Sequence, residues 1–397
     1  MRQTITILGS TGSIGKNTLN VIRQHRDQFD IFAITAYRQV DILLQQIQEF
    51  EPKYAVLVDA SAAKILENQL KQLNLSTKVL SGEQSLIDVV VNDSVDSVMA
   101  AIVGVAGLRP TYQAAKKGKR ILLANKETLV ASGALFMDVV KASGAQLIPV
   151  DSEHNAIFQC LPEDNKCFSS DTMHSVILTA SGGPFRSKNV DDLTYITPAQ
   201  AIKHPNWSMG AKISIDSATM VNKALEMTEA HWLFDIPASH LKVVIHPQSI
   251  VHSMVHYKDG SYLAQIGSQD MKTPIAYSLF YPKRYAAEVA ELNLFDQALT
   301  FEPVNYQRFP SVKLMYQIMS STDFPFYSII YNAVNEQLVA DFLEGKIAFT
   351  DIVLGIEKAL DEIKPCRIAN IDDVLHIDTK ARQWAQNEIF TLIQSKE

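Results

Sequence analysis

Cysteine is scarce in this sequence. Cys160, Cys167 and Cys366 are the three among 397 residues, an odd set without CxxC spacing, which excludes a disulfide framework and a cysteine-ligated zinc site. Long hydrophobic runs are missing too. The longest apolar stretch, from about Val95 to Leu108, is broken by Gly104 and Gly107 and falls short of the ~20 residues a membrane-spanning helix needs. Basic residues are not in surplus: 36 lysines and arginines against 43 aspartates and glutamates leave a net charge of -7. A general nucleic-acid binder needs the opposite balance to displace counterions from phosphates, so no nucleic-acid partner is expected, and only local phosphate pockets remain open to the chain. No leader with basic, apolar and cleavage regions precedes the first apolar run, Thr4 to Leu8. A cytoplasmic protein with no membrane partner is the expectation.

The composition that is present, 47% hydrophobic and 20% charged, is globular, and the length suggests roughly two to three domains. The first part alternates short apolar runs with helical patterns: Thr4 to Leu8, a helix to about Arg26, Ile31 to Ala36, a helix from about Asp41, and Tyr54 to Val58. Further runs follow at Ser97 to Ile102, Ile121 to Ala124 and Gln146 to Val150. This alternation predicts parallel βαβ units: an α/β fold whose N-terminal domain, residues 1–150, is Rossmann-like and doubly wound. Residues 151–285 mix helices with strands at Ser175 to Thr179, Lys242 to Ile245, Ile250 to Tyr257 and Tyr262 to Ile266. They predict a central α+β domain, with one exposed or partner-facing side to its sheet. Asp259-Gly260 marks a hairpin turn. Residues 286–311 read as an irregular connector. Apolar spacing in Val312 to Met319, Tyr331 to Leu343, Ile352 to Leu360 and Ala381 to Ile393 predicts a C-terminal helical bundle over 312–397.

Gly9-Ser10-Thr11-Gly12-Ser13-Ile14-Gly15 follows the first strand and precedes a helix. Glycines there let the backbone turn tightly and let a pyrophosphate approach a helix N-terminus. The spacing is GxxGxxG; such a run also serves ordinary turns, but at the first βα junction a nucleotide is the better reading. At the end of the second strand, where NAD-specific folds place an acid, the chain reads Ala36-Tyr37-Arg38-Gln39. A cation at that place suits the 2′-phosphate of NADPH, although an isolated arginine is also a common surface residue.

Asp151-Ser152-Glu153 follows the strand Gln146 to Val150, and on an extended segment residues two apart point to one side. Two carboxylates would then crowd one spot at the end of a parallel sheet, which a cation would neutralise. The segment from Ser217 to Glu226 reads as a helix with Ser217 near its cap, and Asn222 and Glu226, four apart, share a face with Lys223 beside them. By spacing alone a salt-bridged surface helix is the favoured reading. Carboxylate oxygens suit Mg2+ or Mn2+. Thr179 to Pro184 is a turn or an anion cradle, and Lys203 to Gly210 a lid or an anchored loop. His246, His252 and His256 read as structural.

These blocks closely resemble the 1-deoxy-D-xylulose 5-phosphate reductoisomerase family. The resemblance covers essentially the whole chain: Gly9 to Gly15 (GSTGSIG), Leu123 to Thr128 (LANKET), Pro149 to Phe158 (PVDSEHNAIF), Ala180 to Phe185 (ASGGPF), His204 to Met209 (HPNWSM), Asp216 to Glu226 (DSATMVNKALE) and Ile245 to His252 (IHPQSIVH). It implies NADPH- and metal-dependent rearrangement and reduction of 1-deoxy-D-xylulose 5-phosphate to 2-C-methyl-D-erythritol 4-phosphate, on the methylerythritol phosphate route to isoprenoids, by a homodimer. It further implies that Asp151, Glu153 and Glu226 bind the metal and that Ser181, Ser217, Asn222 and Lys223 bind the substrate phosphate. Lys126, Ser152 and His204 would contact the carbon chain, with Trp207 and Met209 in a covering loop. Thr11, Gly12, Ser13, Ile14, Arg38, Gln39, Asn125, Glu127 and Gly210 would meet the cofactor. Tyr37-Arg38-Gln39 departs from the Gly-Lys-Asn or Gly-Arg-Asn usual there. Two rivals share parts of this pattern: a simpler NADP- and metal-dependent, decarboxylating dehydrogenase, and a non-catalytic NADPH-sensing protein.

Overall fold

The computed structural model describes residues 2–203, 205–207, 210–295 and 298–394, the segment 389–394 by its backbone. The chain forms two compact units, one of Met1–Thr128, Phe136–Asn155 and Asp270–Ala290, the other of Leu129–Leu135, Ala156–Gln269 and Glu291–Glu397.

The first unit is built on seven strands: β1 (Gln3–Leu8), β2 (Phe29–Ala36), β3 (Tyr54–Leu57), β4 (Lys78–Ser81), β5 (Ser97–Ala100), β6 (Arg120–Leu123) and β7 (Gln146–Pro149). All pair in parallel in the order β4-β3-β2-β1-β5-β6-β7. Helices connect them: α1 (Ser13–Gln24), α2 (Val40–Phe50), α3 (Ala60–Gln72), α4 (Glu83–Val91), α5 (Leu108–Lys116) and α6 (Lys126–Ser143). Ile5, Ile7, Leu8, Ile34, Val56, Val98 and Leu122 are buried, as expected of strands covered on both faces. The strand absent from the sequence-based expectation is β4. It is a four-residue edge strand, exposed at both ends, and lacks the continuous apolar run of the central strands. α1 shows the helical stripe clearly, burying Gly15, Thr18, Leu19, Val21 and Ile22. The remote helix α11 (Lys272–Phe280) packs on this unit, its Phe280 ring edge-on to His25 and Phe29.

The second unit holds a four-stranded sheet in the order β11-β10-β8-β9, from β8 (Met173–Ala180), β9 (Leu241–Ile245), β10 (Val251–Tyr257) and β11 (Tyr262–Ile266). β8 and β9 are parallel, whereas β10 runs antiparallel to β8 and to β11. The hairpin turn falls where Asp259-Gly260 placed it: Gly260 has φ +90°, and the Asp259 carboxylate accepts from the Ser261 N–H at 2.9 Å. On the edge strand β11, Tyr262 and Ile266 are exposed on one face and Leu263 on the other.

Helices of the second unit are α7 (Ser152–Cys160, opening in the first unit), α8 (Pro198–Ala201), α9 (Ala211–Ala218), α10 (Val221–Phe234), α12 (Pro310–Met319), α13 (Phe324–Leu343), α14 (Asp351–Glu362) and α15 (Ile371–Gln394). α13 is apolar on most of its circumference and buries fourteen of its residues, among them Tyr331 and Phe342; it is the core of the C-terminal helices, packed against α9, α14 and α15. No helix among the described residues is long and apolar enough to cross a membrane.

Candidate active site

At the nucleotide end of the first unit, β1 gives way to Gly9 at φ +75°. A Cβ there would lie 2.6 Å from the Ala101 carbonyl oxygen, so glycine alone lets the loop after β1 meet the loop after β5. These two strands are neighbours at the point where the sheet order reverses, the usual place for a ligand in such folds. Gly15 is tighter still: a Cβ would stand 2.4 Å from both the Gly9 oxygen and the Ser10 Cα. Gly12 precedes α1, whose first turn has no side-chain cap and no acid. The N–H groups and positive end of the helix dipole are thus open to an anion, which fits a pyrophosphate beside Thr11, Gly12, Ser13 and Ile14.

The other cofactor candidates of this unit stand at the same edge. Arg38 and Gln39 are exposed just past β2. Asn125 precedes α6, its Oδ1 accepting from the Thr128 N–H at 3.1 Å while its Nδ2 donates to the Gly104 carbonyl at 2.8 Å and to that of Ile102. Glu127 is buried in the first turn.

Lys126 opens α6, and its Nζ lies 2.8 Å from Asp151 Oδ2. His154 Nδ1 lies 3.3 Å from the other oxygen. Burial alone would raise the Asp151 pKa, but the charges and hydrogen bonds of Lys126 and His154 outweigh it and hold this carboxyl well below the usual carboxylate range. Ser152 Oγ donates to Glu153 Oε2. The extended geometry expected for Asp151 to Glu153 is corrected here. α7 begins at Ser152, so Glu153 sits in its first turn and its N–H reaches back to Asp151 Oδ1 at 3.3 Å. The acids favour this helix start, where the dipole is positive. With that helix recognised, His154 falls three residues from Asp151 on the same face, the signal that the extended reading hid.

In the second unit the segment from Ser217 to Glu226 is also corrected. Ser217 does not cap one helix but lies in the last turn of α9, and Met220, at φ +56°, breaks the chain before α10. The spacing inference within α10 holds: Asn222 Nδ2 donates to Glu226 Oε1 and Lys223 Nζ to Glu226 Oε2. It is no surface helix, for Lys223 is 3% and Glu226 1% exposed. A buried charge needs such pairing, and truncating either partner would strand the other.

Ser181 follows β8 in a loop whose Gly182 and Gly183 have φ +79° and +65°. The Gly183 N–H donates to Ser181 Oγ at 3.1 Å. A Cβ on Gly183 would come within 2.9 Å of the Ser217 carbonyl oxygen, so the Ser181 loop rests directly on the end of α9. The loop that carries Ser181 and the helix end that carries Ser217 are thereby in contact.

Of the covering loop, Trp207 lies 6.1 Å from the His252 ring, and Asn206 Nδ2 donates to the Pro247 carbonyl at 2.7 Å. Gly210 is exposed before α9. His204 and Met209 lie outside the described residues. His246 is structural as expected: Nδ1 lies 2.8 Å from the Thr300 carbonyl, and Nε2 accepts from the Ile250 N–H at 3.2 Å.

A doubly wound sheet with a glycine-lined anion cradle, together with carboxylates partnered by lysines, defines the class: a dinucleotide-binding α/β enzyme. The chain belongs to the 1-deoxy-D-xylulose 5-phosphate reductoisomerase family. The family model matches residues 5–133, and two models of its C-terminal domain match 147–234 and 266–384. A 1-deoxy-D-xylulose 5-phosphate reductoisomerase of Actinobacillus pleuropneumoniae serotype 5b is 49% identical over 395 residues, 98% of this chain and 99% of the relative. One of Nitrosospira multiformis is 50% identical over 387 residues, 96% and 97% of the two chains. Among solved structures, a DOX-P reductoisomerase in complex with NADPH, fosmidomycin and magnesium has a TM-score of 0.94 at 42% identity, covering 99% of both chains. The enzyme of Zymomonas mobilis in complex with NADPH has a TM-score of 0.91 at 42% identity, covering 98% of this chain and 99% of that one.

Proposed function

We propose that this protein converts 1-deoxy-D-xylulose 5-phosphate to 2-C-methyl-D-erythritol 4-phosphate with NADPH and Mg2+ or Mn2+, in isoprenoid precursor biosynthesis. The observation that carries the reading is the Lys126–Asp151 pair at the carboxyl edge of a dinucleotide-binding sheet, in a chain related end to end to enzymes of that name.

In this reading Asp151, Glu153 and Glu226 hold the metal; their hard oxygen donors suit a small divalent cation. When bound, the metal supplies Lewis-acid stabilisation of negative charge developing on the substrate oxygens, and NADPH supplies hydride. Lys126 adds a positive charge beside the reacting carbons. Ser152 and His204 orient the carbon chain, while Trp207 and Met209 cover it against water. Ser181, Ser217, Asn222 and Lys223 hold the phosphate, which provides binding energy remote from the reacting bonds. Thr11, Gly12, Ser13 and Ile14 receive the pyrophosphate, Arg38 and Gln39 the ribose phosphate, and Asn125, Glu127 and Gly210 also meet the cofactor. The division into residues 1–150 for NADPH, 151–285 for metal and substrate, a connector at 286–311 and a helical domain at 312–397 belongs to the same proposal. So does a cytoplasmic homodimer joined through the face of the second sheet on which Tyr262 and Ile266 are exposed.

The test is NADPH oxidation by chelator-treated protein with 1-deoxy-D-xylulose 5-phosphate, with and without Mg2+ or Mn2+, and with the product identified. Metal-dependent formation of the branched product supports the proposal. Oxidation with an unrearranged product would move the protein to the simpler dehydrogenases, and NADPH binding without turnover would make it a sensor.

A further inference from the structure

α9 is only eight residues long, yet it carries Ser217 at its end and is held from behind by an array of charged and polar groups that the proposed chemistry does not use. Asp216, next to Ser217 and 1% exposed, accepts a hydrogen bond from Asn335 Nδ2 of α13 at 2.9 Å. Its other oxygen lies 2.8 Å from Lys212 Nζ, one turn earlier in α9. Lys212 also lies 3.8 Å from Glu336 on α13. Glu336 pairs with Arg382 of α15, whose Nε lies 2.7 Å from Asp378. A second tie holds the turn that follows: Ser311 Oγ donates to the Thr219 carbonyl at 2.6 Å, and Tyr331 Oη donates to the Ser311 carbonyl at 3.3 Å.

Asn335 is fully buried, and its Oδ1 meets no donor among the described residues. An apolar side chain would serve the core better if packing were its only task. Its amide is oriented for the Asp216 carboxylate, which can only accept. On the opposite side, α9 receives the Ser181 loop at Gly183. The helix is thus clamped between the phosphate loop and the C-terminal helices, and any rotation of α9 would carry Ser217 away from Ser181.

We propose that Asp216 and Asn335, with Lys212, Glu336 and Arg382 behind them, are positioning residues that lock α9 so that Ser217 faces the substrate phosphate. The proposal rests on the phosphate role read above for Ser181, Ser217, Asn222 and Lys223. It gives the C-terminal helices a function in substrate affinity.

The test uses the full-length protein carrying Asn335→Leu or Lys212→Met, with Ser217→Ala in parallel. Steady-state kinetics with 1-deoxy-D-xylulose 5-phosphate are measured together with inhibition by inorganic phosphate, NADPH affinity and thermal unfolding. KM for the substrate and Ki for inorganic phosphate are expected to rise together by about tenfold in both variants, with kcat and NADPH affinity within about twofold. Arg382→Lys, which keeps a cation between Glu336 and Asp378, should stay near the parent values, whereas Arg382→Met should follow Lys212→Met. Unchanged KM and Ki in a folded Asn335→Leu or Lys212→Met protein would overturn the proposal, as would a parallel loss of kcat, NADPH affinity and thermal stability. If Asn335→Leu does not fold, Lys212→Met decides, because Lys212 is partly exposed. If Ser217→Ala also leaves KM and Ki unchanged, it is the phosphate reading that fails.

Discussion

Lys126 Nζ lies 2.8 Å from Asp151 Oδ2, so without metal a lysine neutralises the carboxylate assigned above to the divalent cation. The depressed Asp151 pKa follows from this contact and from His154. A carboxyl whose pKa is lower folded than unfolded stabilises the fold above its unfolded value, and that contribution is lost as pH falls through the folded one. Lys126→Met should therefore destabilise the metal-free protein at neutral pH, and the difference from the parent should begin to shrink as pH falls below about 4. Chemical denaturation across pH 3 to 8 reads this directly. In the metal-loaded enzyme the same variant should lose about 100-fold or more in kcat.

The nucleotide loop separates two glycines that look alike in sequence. Gly15→Ala puts a Cβ 2.4 Å from backbone atoms of Gly9 and Ser10, whereas Gly12→Ala meets only the Gly9 oxygen at 3.4 Å. Gly15→Ala should cost about 1–3 kcal/mol of stability and abolish NADPH binding. Gly12→Ala should fold normally, within about 0.5 kcal/mol. Thermal unfolding with NADPH titration distinguishes them.

Arg38 stands exposed at the end of β2, where its charge can meet the 2′-phosphate. Arg38→Gln should raise KM for NADPH by about tenfold and leave KM for NADH unchanged, since NADH has no group there to lose. Equal effects on both cofactors would remove Arg38 from that role.

Glu226 is buried with both oxygens engaged by Asn222 and Lys223. Glu226→Gln keeps its shape but removes the charge. The protein should still fold, at lower stability because Lys223 loses its buried counter-charge, and NADPH affinity should persist while turnover at any Mg2+ or Mn2+ concentration falls below detection. Normal turnover would take Glu226 out of the metal site.

Features that depend on local period and local chemistry are legible in the order of the amino acids. The buried strands β1, β2, β3, β5, β6 and β7 announce themselves because a sheet covered on both faces demands continuous apolar runs. The glycine loop after β1 is legible because its tight turn excludes other residues, and the Asn222–Lys223–Glu226 face because helical geometry sets which neighbours meet. The rest is set by contacts between distant segments. β4 is held by pairing with β3 rather than by an apolar run of its own. The start of α7 at Ser152 and the break at Met220 depend on where the chain must turn, which periodicity does not record. That Lys223 and Glu226 are buried rather than solvated, and that α11 returns to α1, follow from packing between remote segments. So does the Asp216–Asn335 bond, which joins residues 119 apart in the chain. Such partners have no spacing rule, because the energy that selects them arises when two distant surfaces exclude water together.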